Sequence, residues 1–196
     1  REGDMRREDN PNVMPATSSR MHEMGLNPIT LAFSGPLEEA FLDDYYNNSM
    51  TMVRLSLFAG IVLYGLFGIL DAELVPTMKW NLWFLRFAIV WPALMAVILW
   101  SYYPSFKRFF QPAVASVMLV AGFAIIIMIR IIPPPISYSY YAGLILVFIW
   151  GYSFTRVRFL WAASAGWIIV IFYEIVTMST ANIPRAVIIN NNFFFI

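Results

Sequence analysis

The chain has 196 residues, 60% of them hydrophobic and 13% charged, where an ordinary soluble domain carries about a quarter charged residues. A formal net charge of +1 excludes nucleic-acid binding through a basic surface, and the absence of cysteine excludes disulfides, zinc–thiolate centres and thiol catalysis. Charges crowd into residues 1–54 and then become sparse, leaving apolar runs separated by short polar breaks.

Residues 1–36 mix Arg6, Arg7, Glu8 and Asp9 with Pro, Ser and Asn, without periodicity. Such a segment buries too little apolar surface to offset the entropy of ordering, so a disordered cytoplasmic tail is expected. The single His22 falls in it and receives no role. Next, Gly35 can act as N-cap, Pro36 as first helical residue and Glu38 as third. Leu37, Phe41, Tyr45 and Val53 are separated by Glu38, Glu39, Asp43 and Asp44. The pattern predicts an amphipathic juxtamembrane helix over 37–52, its acids in the turns the helix dipole favours, running into a first span.

Six transmembrane helices are predicted over 53–196, at about 53–70, 82–103, 112–132, 139–155, 159–178 and 186–196, since roughly 20 apolar residues match the hydrocarbon thickness. The sixth is truncated at Ile196, and the chain opens at Arg1 without Met, so a fragment lacking its C-terminal part is expected. The first apolar run begins some fifty residues in and lacks a basic leader, so no signal peptide is predicted. The fold class is therefore all-α, a polytopic membrane helix bundle. Arg54, Lys107, Arg108, Arg156 and Arg158 fall on one side; Lys79 and Arg185 fall on the other, joined by span-edge Arg86 and Arg130. The excess places the N-terminus and the second and fourth loops in the cytoplasm.

Ionisable residues inside or at the edge of a span cost several kcal/mol unless paired or wet, and they are functional candidates by default. Here they are Asp71, Arg86, Arg130 and Glu174, all in the outer half of the predicted topology. Tyr64, Trp80, Trp83, Tyr138, Tyr140, Tyr141 and Tyr173 share that level. Two readings stay open. One is a pocket open to the outside, in which Arg86 or Arg130 meets an anionic or polar ligand and Glu174 is the counter-ion. The other is a structural Arg–Glu pair within the usual interfacial aromatic belt.

Ser56, Gly60 and Gly68 fall on one face of the first span, and Ala162 and Gly166 on one face of the fifth. Small residues at such spacing predict close approach of helix backbones. Pro92 predicts a kink in the second span, and Pro133-Pro134-Pro135 a rigid extended outer loop. Asn190-Asn191-Asn192 places three amides in the last span, at least one of which must turn inward to find a partner. The chain carries no glycine-rich phosphate loop, metal-ligand cluster or nucleophile with its base. No catalytic residue, cofactor or metal site is expected in it.

Asp44-Tyr45-Tyr46-Asn47 precedes Arg54 and then Leu63-Tyr64-Gly65-Leu66-Phe67-Gly68-Ile69-Leu70-Asp71. Leu82-Trp83, Arg86-Phe87 and Pro92 follow, then Tyr140-Tyr141-Ala142-Gly143-Leu144 and Arg156-Val157-Arg158-Phe159. Gly166-Trp167, Tyr173-Glu174 and Asn191-Asn192-Phe193-Phe194 complete a series over about 37–196. In order and spacing it resembles the six-span N-terminal membrane module of bacterial class III adenylate/guanylate cyclases. Related modules precede diguanylate cyclases and histidine kinases. The resemblance implies a sensor or anchor in the bacterial inner membrane, dimeric at full length; a small polar or lipid ligand is the partner that the outer-half pocket reading would add. It also implies a cytoplasmic cyclase domain using Mg2+ or Mn2+. That domain is not in this chain, so none of its catalytic residues can be placed here. The rival from another class is a small-solute transporter or channel, which would need a hydrated path across the whole bilayer.

Overall fold

The structure, a computed structural model, describes residues 36–179 and 184–195, which form helices and their connections. The predicted tail through residue 35, with His22, lies outside the described residues. The chain divides into two compact units, residues 1–45 and 46–196. The first is described only over its helical residues 36–45, and the packing below concerns the second.

Helix α1 covers Pro36–Leu74, so the segment expected as a juxtamembrane helix is the N-terminal part of α1. Next come α2 (Lys79–Trp83), a π-helical segment (Phe84–Val90) and α3 (Trp91–Trp100), continuous with one another. Helix α4 is Phe106–Ile131; a 3-10 turn at Ile136–Ser139 leads into α5 (Tyr141–Ser153); α6 is Phe159–Ser179 and α7 is Arg185–Phe195.

Among the described residues four helices are long and apolar enough to cross a membrane: Asp43–Leu74 within α1, Lys79–Trp100, Phe106–Ile131 and Phe159–Ser179. The remaining two predicted spans correspond to α5 and α7, of 13 and 11 residues. At 1.5 Å per residue α5 rises only about 20 Å, short of the roughly 30 Å hydrocarbon layer. The residues ahead of it enter the 3-10 turn. At its other end Thr155 Oγ1 donates back to the Gly151 carbonyl at 2.7 Å, and Arg156 turns the chain at φ 53°. The outer faces remain apolar: Leu55, Phe58, Leu66 and Ile69 of α1 are exposed, as are Trp167 and Ile171 of α6. So much contiguous apolar surface is unfavourable in water and is compatible with association with a bilayer.

Helix α4 is the central column. In its most apolar stretch 67% of residues are buried, against 28–33% in the other three long helices. Gly122 of α4 lets Ile169 of α6 approach so closely that an added Cβ would stand 2.6 Å from its Cδ1. At one end of the unit, Val75, Leu82, Leu85, Met128 and Ile132 form a buried cluster that holds the α1–α2 turn against the end of α4. At the other end Arg54 donates to Ser101 Oγ (2.9 Å) and to its carbonyl (2.6 Å), with its guanidinium 4.0 Å from the Tyr102 ring centroid.

Both proline-bearing segments have a defined local backbone. Just before Pro92 the backbone widens through Phe84–Val90, and the Trp91 N–H donates to the Arg86 carbonyl five residues back. The wide turn ends just before Pro92, in the first turn of α3, where a missing N–H costs least. Pro133-Pro134-Pro135 does not continue as an extended loop. Pro135 takes a helical conformation and its carbonyl accepts from the Tyr138 N–H at 3.1 Å, closing the turn into Ile136–Ser139.

Candidate functional site

Asp71 ends the apolar part of α1, and Arg86 lies 15 residues later in the π-helical segment. The intervening turn is tight, with Val75 N–H bonded to the Asp71 carbonyl (2.9 Å) and Met78 N–H to that of Val75 (3.1 Å). The two side chains therefore face each other. Arg86 Nε donates to Asp71 Oδ2 at 2.5 Å and Nη2 to Oδ1 at 3.0 Å, a two-point ion pair with side chains only 5% and 1% exposed. The Tyr140 hydroxyl, just ahead of α5, donates to Asp71 Oδ1 at 2.9 Å. Aromatic faces complete the surroundings: the guanidinium carbon is 4.9 Å from the Tyr64 ring centroid and 5.8 Å from that of Phe67. Tyr64 itself donates to the Ala121 carbonyl of α4 at 3.0 Å. One carboxylate thus gathers the end of α1, the second span and the start of α5, and Tyr64 ties the group to α4.

Beside this pair is a cavity of about 170 Å³ between α1, α3, α4 and α5. Asp71, Arg86, Ser139 and Tyr140 line one end; Gly60, Leu94, Ile125, Leu146 and Val147 line the rest. Leu63, Leu70 and Leu74 also line it and are exposed, so the cavity opens onto the apolar outer surface between α1 and α5.

At the small residues of α1, aromatic rings fill the space where close backbone approach was expected. The nearest atoms to a Cβ added at Gly60 belong to the Trp150 indole (3.4 Å), and those at Gly68 to the Phe87 ring (2.9 Å). Trp150 Nε1 donates to the Ser56 carbonyl (2.9 Å) and Trp83 Nε1 to the Gly68 carbonyl (2.8 Å). A small side chain leaves a helical carbonyl's second lone pair open to such a donor. In α6, Ala162 is buried and Gly166 meets the Tyr152 phenol.

The ionisable residues expected to share one pocket separate into different places. Arg86 pairs with Asp71, not Glu174. Arg130 is exposed in the last turn of α4, where its charge suits the helix C-terminus. Tyr173 and Glu174 belong to a second polar region with Asn191. Tyr173 is 1% exposed, and its hydroxyl accepts from Asn191 Nδ2 at 2.8 Å, giving the inward-facing amide of the asparagine run its partner. Glu174 Oε1 is buried without a hydrogen-bond partner among the described residues. Tyr141 lines a space of about 10 Å³ with Tyr138, Tyr173 and Asn191, about the size of one water.

Compared with protein-family models, curated proteins and solved structures, the chain finds no match. Among the described residues no group of three or more His, Cys, Asp or Glu side chains could hold a metal ion. Tyr140 was grouped with the aromatics at the level of the charges but not with Asp71, and Trp150 was not singled out in the sequence. Tyr64 carried a signal, because 60, 64, 67 and 71 recur at three- and four-residue steps along one face of α1. Trp150 carried none, since its role depends on where α5 docks.

Proposed function

We propose that this chain is the sensor and anchor module of a membrane signalling protein, most specifically the N-terminal part of a class III adenylate/guanylate cyclase. The ordered motifs from Asp44 to Phe194 support the choice of output. The observation that carries the sensor reading is the buried Asp71–Arg86 pair with Tyr140 on the same carboxylate, beside a cavity that opens on the apolar surface. A buried pair is weak evidence of stabilisation, because desolvation offsets most of its attraction. It can, however, specify one helix arrangement over another. A ligand that binds one arrangement more tightly shifts the population by that difference in affinity.

In this proposal α1, the second span and α5 move relative to α4 when the cavity is occupied, and α7 passes the shift to a cytoplasmic domain. The chain lies in the bacterial inner membrane with its N-terminus cytoplasmic, and the full-length protein is a homodimer. The cyclase domain takes Mg2+ or Mn2+; this chain supplies no catalytic group.

The test is cyclic-nucleotide production by the full-length protein in membranes, with its own bundle and with an unrelated six-span bundle exchanged for it. Formation of cyclic AMP or cyclic GMP whose rate changes on exchange supports the proposal. Absence of either product with Mg2+ or Mn2+ refutes the cyclase output and favours a kinase or diguanylate cyclase. A rate unaffected by the exchange leaves only a passive anchor.

A further inference from the structure

We propose that the cavity beside Asp71 and Arg86 binds a neutral single-chain amphipath, its oxygen accepting a hydrogen bond from Arg86 and its chain leaving between α1 and α5. The inference deepens the sensor reading and rests on it for its bilayer setting.

Unused donors argue for an acceptor. A guanidinium has five N–H groups. Arg86 directs two at Asp71, one from Nε and one from Nη2, leaving three N–H groups that this pair does not engage. Arg86 is 4% exposed and lines the cavity, so a ligand oxygen entering it would come within reach of those N–H groups.

Charge argues for a neutral ligand. Asp71 cancels the charge of Arg86 at hydrogen-bond distance, and an anionic head placed at Arg86 would also face the Asp71 carboxylate. A cationic head would meet a carboxylate already engaged by Arg86 and by the Tyr140 hydroxyl. A hydroxyl, ketone or ester carbonyl meets neither objection.

Volume and wall chemistry describe the rest. About 170 Å³ walled by Leu94, Ile125, Leu146 and Val147 is comparable with the roughly 150 Å³ apolar cavity that takes up a benzene ring, enough for about six carbons. A longer chain continues past exposed Leu63 and Leu70 into the surrounding lipid, so the ligand enters sideways from the bilayer.

The experiment uses this chain in phosphatidylcholine vesicles and a ten-carbon primary alcohol carrying a mid-chain diazirine, with crosslinks located by peptide mass spectrometry. Labelling concentrated at cavity-lining positions in 60–74 and 139–150, and displaced by excess 1-decanol, is expected. The oxygen-free analogue should label about fivefold less, and the matching carboxylate less than the alcohol. Ala142 is exposed and lines the cavity, so Ala142→Trp closes the mouth without overpacking the interior and should cut labelling about tenfold. The Asp71→Leu/Arg86→Leu variant keeps an apolar cavity and should label equally with alcohol and alkane. Labelling spread evenly over lipid-facing positions, or unchanged in Ala142→Trp, overturns the site. Equal labelling by alkane, or stronger labelling by carboxylate, in the unaltered chain overturns the neutral-acceptor chemistry. Binding is read without any output domain, so its failure is distinct from failure of the bundle exchange.

Discussion

Replacing Arg86 by Leu removes one partner of a charge pair whose other member, Asp71, is 1% exposed. The carboxylate then keeps only the Tyr140 hydroxyl at 2.9 Å, which cannot replace two N–H donors and a positive charge. Breaking a buried pair from one side costs about 3–5 kcal/mol, because an uncompensated charge remains. Removing both charges removes that penalty, although the Tyr140 hydroxyl then loses its acceptor at about 1–3 kcal/mol. The triple variant Asp71→Leu/Arg86→Leu/Tyr140→Phe leaves neither charge nor stranded hydroxyl, and should return to within about 1 kcal/mol of the unaltered chain. Equilibrium unfolding in mixed detergent micelles, followed by tryptophan fluorescence, measures all three. An Arg86→Leu loss below about 1 kcal/mol, or a triple variant as unstable as the single one, would refute the reasoning.

Gly68→Leu brings a side chain against Phe87, whose Cζ would lie 2.9 Å from the new Cβ, and should cost about 1–3 kcal/mol in the same unfolding assay. Tyr173→Phe strands the buried Asn191 Nδ2 and should cost about 1–3 kcal/mol, with Tyr173→Phe/Asn191→Leu recovering part of the loss. Arg54→Lys keeps the charge but loses the forked contact with Ser101 and the planar stack on Tyr102. It should destabilise by about 1 kcal/mol, read as a lower midpoint in detergent. Because the chain lacks cysteine, single cysteines can report topology cleanly. Lys107→Cys and Arg156→Cys should react with an impermeant maleimide only after the cell is opened, and Lys79→Cys before; the reverse pattern would invert the proposed orientation.

The sequence by itself determined that these segments are apolar helices and where their rare charges fall along the chain. Both are local properties: run length sets the helices, and a single Asp or Arg in an apolar run is visible without knowing its neighbours. The inward amide of the asparagine run was also legible, because an amide in such surroundings needs a partner, and Asn191 finds Tyr173. Tertiary structure alone decided which charges meet. Helices that are apolar on every side offer little periodic contrast, so rotation about their axes cannot be read from composition. Arg86 meets Asp71 because the turn at 75–78 folds α2 back on α1, while Arg130 ends on an exposed face of α4 and Glu174 goes with α6 to another region. The cavity is likewise a property of assembly, the volume left where the Trp150 indole of α5 packs against Gly60 of α1.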